Sequence, residues 1–172
     1  MNFPEMTLEQ AAVIVLMDRY FAGGLDPYVT PREISTLMYF LKEAGEPLDW
    51  DYREGPRGPH TDDIHHAIDK IGGHLISGYG PFVVMPKALE DARIIIENKE
   101  TTRSHLERVF DLMDGFESPF GLELLSTTHW MATRKQLQSA GRIASAWERG
   151  RFSERQALLA LDVLTQKGWV II

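Results

Sequence analysis

Four groups of residues in this chain are of types that do chemistry. Asp62, His65, His66 and Asp69 stand at i, i+3, i+4 and i+7, a spacing that can hold a metal ion on one face of a helix. No second cluster of ligands accompanies them, and an ordinary polar face with i,i+4 pairs accounts for the same pattern. Gly55-Pro56-Arg57-Gly58-Pro59 has the glycine content of a phosphate cradle. Its prolines delete amide donors that a phosphate needs, so the stretch reads as a stiff structural corner. His129 follows Ser126, Thr127 and Thr128, but neighbours on a helix point in different directions and no strained nucleophile turn is present. With Leu122 and Leu125 on its side of the helix, His129 reads as a core histidine bonded to a backbone or carboxylate partner. No catalytic constellation emerges from these three groups.

The fourth group is a run of acids. In Glu46-Pro47-Leu48-Asp49-Trp50-Asp51-Tyr52-Arg53-Glu54, period-2 alternation puts Leu48, Trp50 and Tyr52 on one face and Asp49 and Asp51 on the other. Alternate residues of a strand face lie about 6.5 to 7 Å apart, close to the spacing of phosphates along an extended nucleic-acid strand. Glu43, Glu46, Glu54, Asp62 and Asp63 continue that line around the Gly-Pro corner. Trp50 and Tyr52 stand where stacked bases would, although their alternation with aspartate favours burial. Tyr79, between Gly78 and Gly80, is either an exposed turn aromatic or a plug at the core edge.

The elements that must position these residues begin with a helix opened by Thr30, Pro31 and Glu33, a capping box with proline in the first turn. Ile34, Leu37, Met38 and Leu41 form its stripe, and Tyr39 and Phe40 lie off it, so this helix is expected to be central and wrapped by others. Gly45 supplies its left-handed exit. Before it, Thr7 with Gln10 caps a helix running to about residue 20. After it, a helix is expected from about residue 61 to Gly72-Gly73, then short strands over 74–79 and 82–85, pairing in one small sheet with residues 50–53. Further helices are expected over 87–98, 102–114, from Ser118-Pro119 onward, 136–148 and 153–167, with a strand-like end at 169–172.

Leu37-Met38-Tyr39-Phe40-Leu41, Glu43-Ala44-Gly45-Glu46-Pro47-Leu48, Gly55-Pro56, Gly58-Pro59, Gly73-His74, Ile76, Gly78-Tyr79-Gly80, Gly115-Phe116-Glu117, Pro119-Phe120-Gly121-Leu122-Glu123-Leu124-Leu125 and His129-Trp130, in this order, resemble the C-terminal domain of DarG-type antitoxins. In that family an N-terminal macrodomain removes ADP-ribose from DNA, and the C-terminal domain blocks the DarT toxin, a DNA ADP-ribosyltransferase, as a DNA mimic. The resemblance implies one toxin-neutralising domain over residues 1–172, with the macrodomain absent, no enzymatic activity, no cofactor and no metal. It implies a DarT-type toxin as partner, and the acidic and aromatic pattern places the contact at Glu43, Glu46, Asp49, Trp50, Asp51, Tyr52, Glu54, Asp62, Asp63 and Tyr79. Neither direct nucleic-acid binding nor a membrane is expected, and the chain is expected to be a monomer.

Composition agrees with an acidic, α+β, mainly α-helical domain carrying a small short-stranded sheet. Its 172 residues, 44% apolar, suffice for one well-buried core. With no cysteine, disulfides, thiolate metal sites and cysteine nucleophiles are excluded, which suits a reducing cytoplasm. The longest apolar run, residues 11–17, is far below membrane-spanning length. Net charge is -7, and it is uneven: residues 1–123 hold 22 acids and 11 bases, residues 124–172 hold 3 acids and 7 bases. The basic end, a helix leading to a terminal strand with Arg134, Lys135, Arg142, Arg149, Arg151 and Arg155, gives the alternative of a winged-helix nucleic-acid reader, which the overall charge opposes.

Overall fold

The computed structural model describes residues 5–24, 29–76, 83–147 and 150–171. Their order is α1 (Leu8–Gly23), α2 (Pro31–Glu43), β1 (Arg53–Gly55), β2 (Gly58–His60), α3 (Asp63–Ile71), a 3-10 turn (Gly72–His74), β3 (Leu75–Ile76), β4 (Val83–Val84), α4 (Pro86–Glu97), α5 (Glu100–Met113), α6 (Pro119–Thr133), α7 (Ala140–Ala146) and α8 (Glu154–Gln166). The fold is mainly helical, as the periodicity predicts.

Helix starts follow local chemistry. Thr7 and Gln10 exchange side-chain bonds with each other's amides at 2.9 and 3.2 Å, and Ser153 and Gln156 do so at 2.9 and 3.1 Å. At α2, Thr30 N donates to Glu33 Oε2 at 2.7 Å, with Pro31 in the first turn. These bonds satisfy amides that a helix leaves unpaired at its start. Gln136 interrupts the expected helix over 136–148: its φ of 55° breaks the chain direction, and α7 begins only after the Ser139 cap.

Helix α2 is central, with Glu33 through Leu41 all buried. It packs on α1, α3, α5, α6 and β2, while α1 lies chiefly against α4, and α8 covers α6 and α7. Aromatic rings of Tyr39, Phe40, His129 and Trp169 meet edge to face around it, with centroids 5.2 to 6.4 Å apart. That geometry sets the positive ring edge on the negative face.

The strands differ from the expected single sheet. β1 pairs with β2 across the Gly-Pro corner, in register Arg53 with His60 and Glu54 with Pro59, and β3 pairs with β4 separately. A two-residue reversal at Pro56-Arg57, with Gly58 at a φ of 103°, brings residue 53 back to residue 60 before any distant strand can compete. The strand-like end also fails to extend: the amides of Trp169 and Val170 both bond Leu164 O, with Gly168 at a φ of 77°. This closes the end of α8, a C-terminal helix motif, and drives Trp169 into the core. The described residues therefore show no winged-helix feature there.

His129 is a core residue, and its partner is a hydroxyl. Tyr39 donates from its O–H to His129 Nδ1 at 2.6 Å, and the ring is also bonded to the Trp169 backbone. Burial holds the His129 imidazole down at about 4, and burial likewise pushes the Tyr39 hydroxyl far up. The folded state favours the neutral ring, so its contribution is complete above the ordinary value of 6.5 and declines as pH falls toward about 4. We expect unfolding free energy by urea titration to drop between pH 7.5 and 5, within a ceiling of about 3 kcal/mol, and His129→Gln to show a shallower drop. Equal drops in both proteins would show that another group controls the acid limb.

Candidate functional site

After α2 the chain turns back along it. Lys42 Nζ donates to Trp50 O, and the Tyr52 hydroxyl donates to Ser35 O at 2.7 Å. Trp50 Nε1 donates to Glu9 Oε1 at 2.9 Å, which ties the same run to α1. These bonds turn Leu48, Trp50 and Tyr52 toward the core and leave Asp49 and Asp51 exposed, although strand pairing begins only at Arg53. The alternation is therefore real, but the run is laced onto α2 rather than into a sheet.

The β1–β2 hairpin then docks on α6. A Cβ added to Gly58 would meet Ser126 Oγ at 3.0 Å and Thr127 Oγ1 at 3.1 Å, so only glycine lets the turn approach this closely. Thr61 is buried beyond β2, and Asp63 Oδ2 accepts from both the Asp51 amide and the Thr61 hydroxyl at 2.9 Å. Together these contacts fix the hairpin on α6 and tie its flanking residues to the start of α3, beside the first turns of α2.

Between them lies an open cleft of about 410 Å³, within the usual range for small-molecule sites, about 300–1,000 Å³. Its polar lining is Arg32, Ser35, Arg57, His60 and His65, and its apolar lining includes Pro31, Pro56, Pro59 and Ile64. No aspartate or glutamate lines it. His60 Nε2 lies 3.2 Å from Asp62 Oδ1, and Asp62 also accepts from Arg53 Nη2 at 2.5 Å. The Arg53 guanidinium beside Asp62 holds its carboxyl below the usual range, so Asp62 stays ionised and orients His60. Ser35 Oγ is buried with no hydrogen-bond partner among the described residues. Its neighbour Thr36 bonds back to Arg32 O at 3.1 Å, the ordinary course for a helical hydroxyl.

The acids expected to form one face differ in burial and pairing. Glu46 is buried, accepting from Thr102 Oγ1 and His105 Nδ1, both at 2.7 Å. Glu43 is engaged by Arg134, Glu54 faces Lys135 at 3.7 Å, and Asp62 and Asp63 have the partners given above. Asp49 and Asp51 are exposed, Trp50 is buried and Tyr52 is half-buried. Tyr79 lies outside the described residues. His65, His66 and Asp69 are exposed on α3, and among the described residues no group of three or more histidines and acids converges as a metal site. Sequence reasoning passes over Arg32, Ser35, Arg57 and His60. The prolines do deny phosphate a backbone cradle, yet the same prolines bring the Arg57 and His60 side chains to the cleft wall.

No family model matches the chain. Among curated proteins, a DNA ADP-ribosyl glycohydrolase of Thermus aquaticus is 30% identical over 176 residues, covering 96% of this chain and 48% of that protein. Proteins of the same name from Mycobacterium tuberculosis and Mycobacterium bovis are 28% identical over 183 residues, 91% of this chain and 52% of theirs. The chain spans about half the length of the curated relatives it matches. These names correct the expectation of a DarG-type antitoxin domain that neutralises a toxin as a DNA mimic. They correct with it the expectation of no enzymatic activity, since the relatives matched over nearly the whole chain carry an enzyme's name. The alternative of a winged-helix nucleic-acid reader is unsupported as well. Among the described residues no helix is long and apolar enough to cross a membrane.

Because Gly58 combines a positive φ with close approach to α6, Gly58→Ala is expected to lose about 2 kcal/mol in chemical denaturation. Gly72→Ala, at an ordinary helical φ with open space around it, is expected to stay within about 0.5 kcal/mol. Similar losses at both sites would rule out the hairpin packing as the cause.

Proposed function

We propose that this chain acts in the hydrolytic removal of ADP-ribose from DNA, with the cleft between α2 and the hairpin as the substrate site. The observation that carries this reading is His60 on the cleft wall, with the Asp62–Arg53 ion pair behind it against its Nε2. The names of the relatives supply the substrate. Glycoside hydrolysis requires a group that takes a proton from water and passes one to the leaving atom. With its Nε2 side held by Asp62, His60 has its other ring nitrogen available for that transfer. The bond from the ribose C1″ to DNA breaks, the water oxygen bonds C1″, and the DNA atom leaves protonated. Asp62 stabilises the imidazolium formed on the way, as a carboxylate does when it orients a catalytic histidine. The absence of cysteine suits a reducing compartment, and we place the activity in the cytoplasm.

A DNA oligonucleotide bearing labelled ADP-ribose tests this. The chain should release free ADP-ribose, His60→Ala should slow release by about 100-fold or more, and Asp62→Asn should slow it less. Absence of release by the unaltered chain, or release unchanged in His60→Ala, would exclude this assignment.

A further inference from the structure

We propose that the outer face of α8 pairs with the same face of a second copy of this chain, the two helices running antiparallel about a two-fold axis between Leu158 and Leu159. The inner face of α8 is accounted for by Ala157, Ala160, Leu161 and Leu164, which are buried where the helix covers α6 and α7. Leu158 and Leu159 fall off that stripe and are 49% and 57% exposed. Arg155, Leu158, Leu159 and Asp162 stand at i, i+3, i+4 and i+7, so they share the side turned to solvent. Single exposed leucines are ordinary on a surface. Two adjacent ones bracketed by a base and an acid are a pattern that the fold of one chain does not use.

The order of these residues selects a second copy as the occupant. An axis between positions 158 and 159 sets Leu158 against the partner's Leu159 and Arg155 against the partner's Asp162, and the symmetry repeats both contacts. Within one helix these charges cannot meet. Seven residues place them about 10 Å apart along the axis, and the leucines hold the i+3 and i+4 positions where an ion pair would form. Neither charge forms an ion pair elsewhere among the described residues. Ile94 on α4 is 53% exposed, yet Glu90, Asp91 and Glu97 flank it, and the same pairing there would set acids against acids. Exposure therefore does not distinguish α8; the charge order around it does. One side of a 13-residue helix is a strip about 20 Å long and 10 Å wide. That is well under the ~800 Å² per partner of a standard interface, so the dissociation constant is expected to be on the order of 100 µM. The monomer expected from the sequence is then the dilute form.

Sedimentation velocity of the full chain, from about 5 to about 500 µM to span that constant, tests the pairing. The sedimentation coefficient should rise with concentration. Leu159→Glu puts a charge at the centre of the interface, and Arg155→Asp or Asp162→Arg sets like charges opposite each other twice. Each should weaken association by about tenfold or more, with the melting temperature unchanged because all three sites face solvent. An equimolar mixture of the Arg155→Asp and Asp162→Arg chains should regain association, since only unlike charges face each other in the mixed pair. The proposal is overturned if the unaltered chain is monomeric throughout, if the three substitutions leave association unchanged, or if the mixture associates no better than its components. It is equally overturned if the chain stays monomeric alone and binds, through α8, the half of the Thermus aquaticus relative that it does not match, because that segment would then be the occupant.

Discussion

The bond from the Tyr39 hydroxyl to His129 Nδ1 is the constraint on which the remaining structure depends. Helix α2 has nine consecutive residues out of solvent, and a helix surrounded on all sides tolerates polar groups only where each finds a partner. By accepting at Nδ1 and bonding the Trp169 backbone, the neutral imidazole ties α2, α6 and the segment after α8 to one another. Its depressed basicity is the consequence of that burial, which outweighs the attraction of Glu43, and protonation would place a desolvated charge among Phe40, Trp169 and Tyr39.

The cleft follows from how the surface layers are attached to this centre. Residues 46–52 are laced to α2 and α1 by Tyr52, Trp50 and Lys42, and the hairpin is pressed onto α6 through Gly58. Neither attachment fills the space over the first turns of α2 and α3. Arg32 and Ser35, three residues apart on α2, border that space from one side, and Arg57 and His60 border it from the hairpin. The Ser35 hydroxyl on this border has no partner among the described residues, a state it shares with Thr127 and Thr128 on α6.

Acidic residues behave differently from what their spacing suggests. Glu46 and Glu123 are interior, the first bonded by Thr102 and His105, the second gripped by Arg151 through Nε at 2.6 Å and Nη2 at 2.5 Å. Such buried carboxylates are structural, because removing one partner leaves a desolvated charge. Most other described carboxylates, Asp49 and Asp51 among them, are exposed.

What the amino-acid order determined by itself is what nearest neighbours control. The capping boxes at Thr7, Thr30 and Ser153, the exit at Gly45, the inward turn of Trp50 and the core placement of His129 all rest on residues within a few positions, or on a simple period. Tertiary structure alone decided the rest. It paired residue 53 with residue 60 rather than with a distant strand, buried Glu46 against α5, and gathered Arg32, Ser35, Arg57 and His60 around one cleft. The physical reason is range: helix starts are fixed by bonds spanning three or four residues, whereas a cleft exists only after separate elements have packed and left space between them.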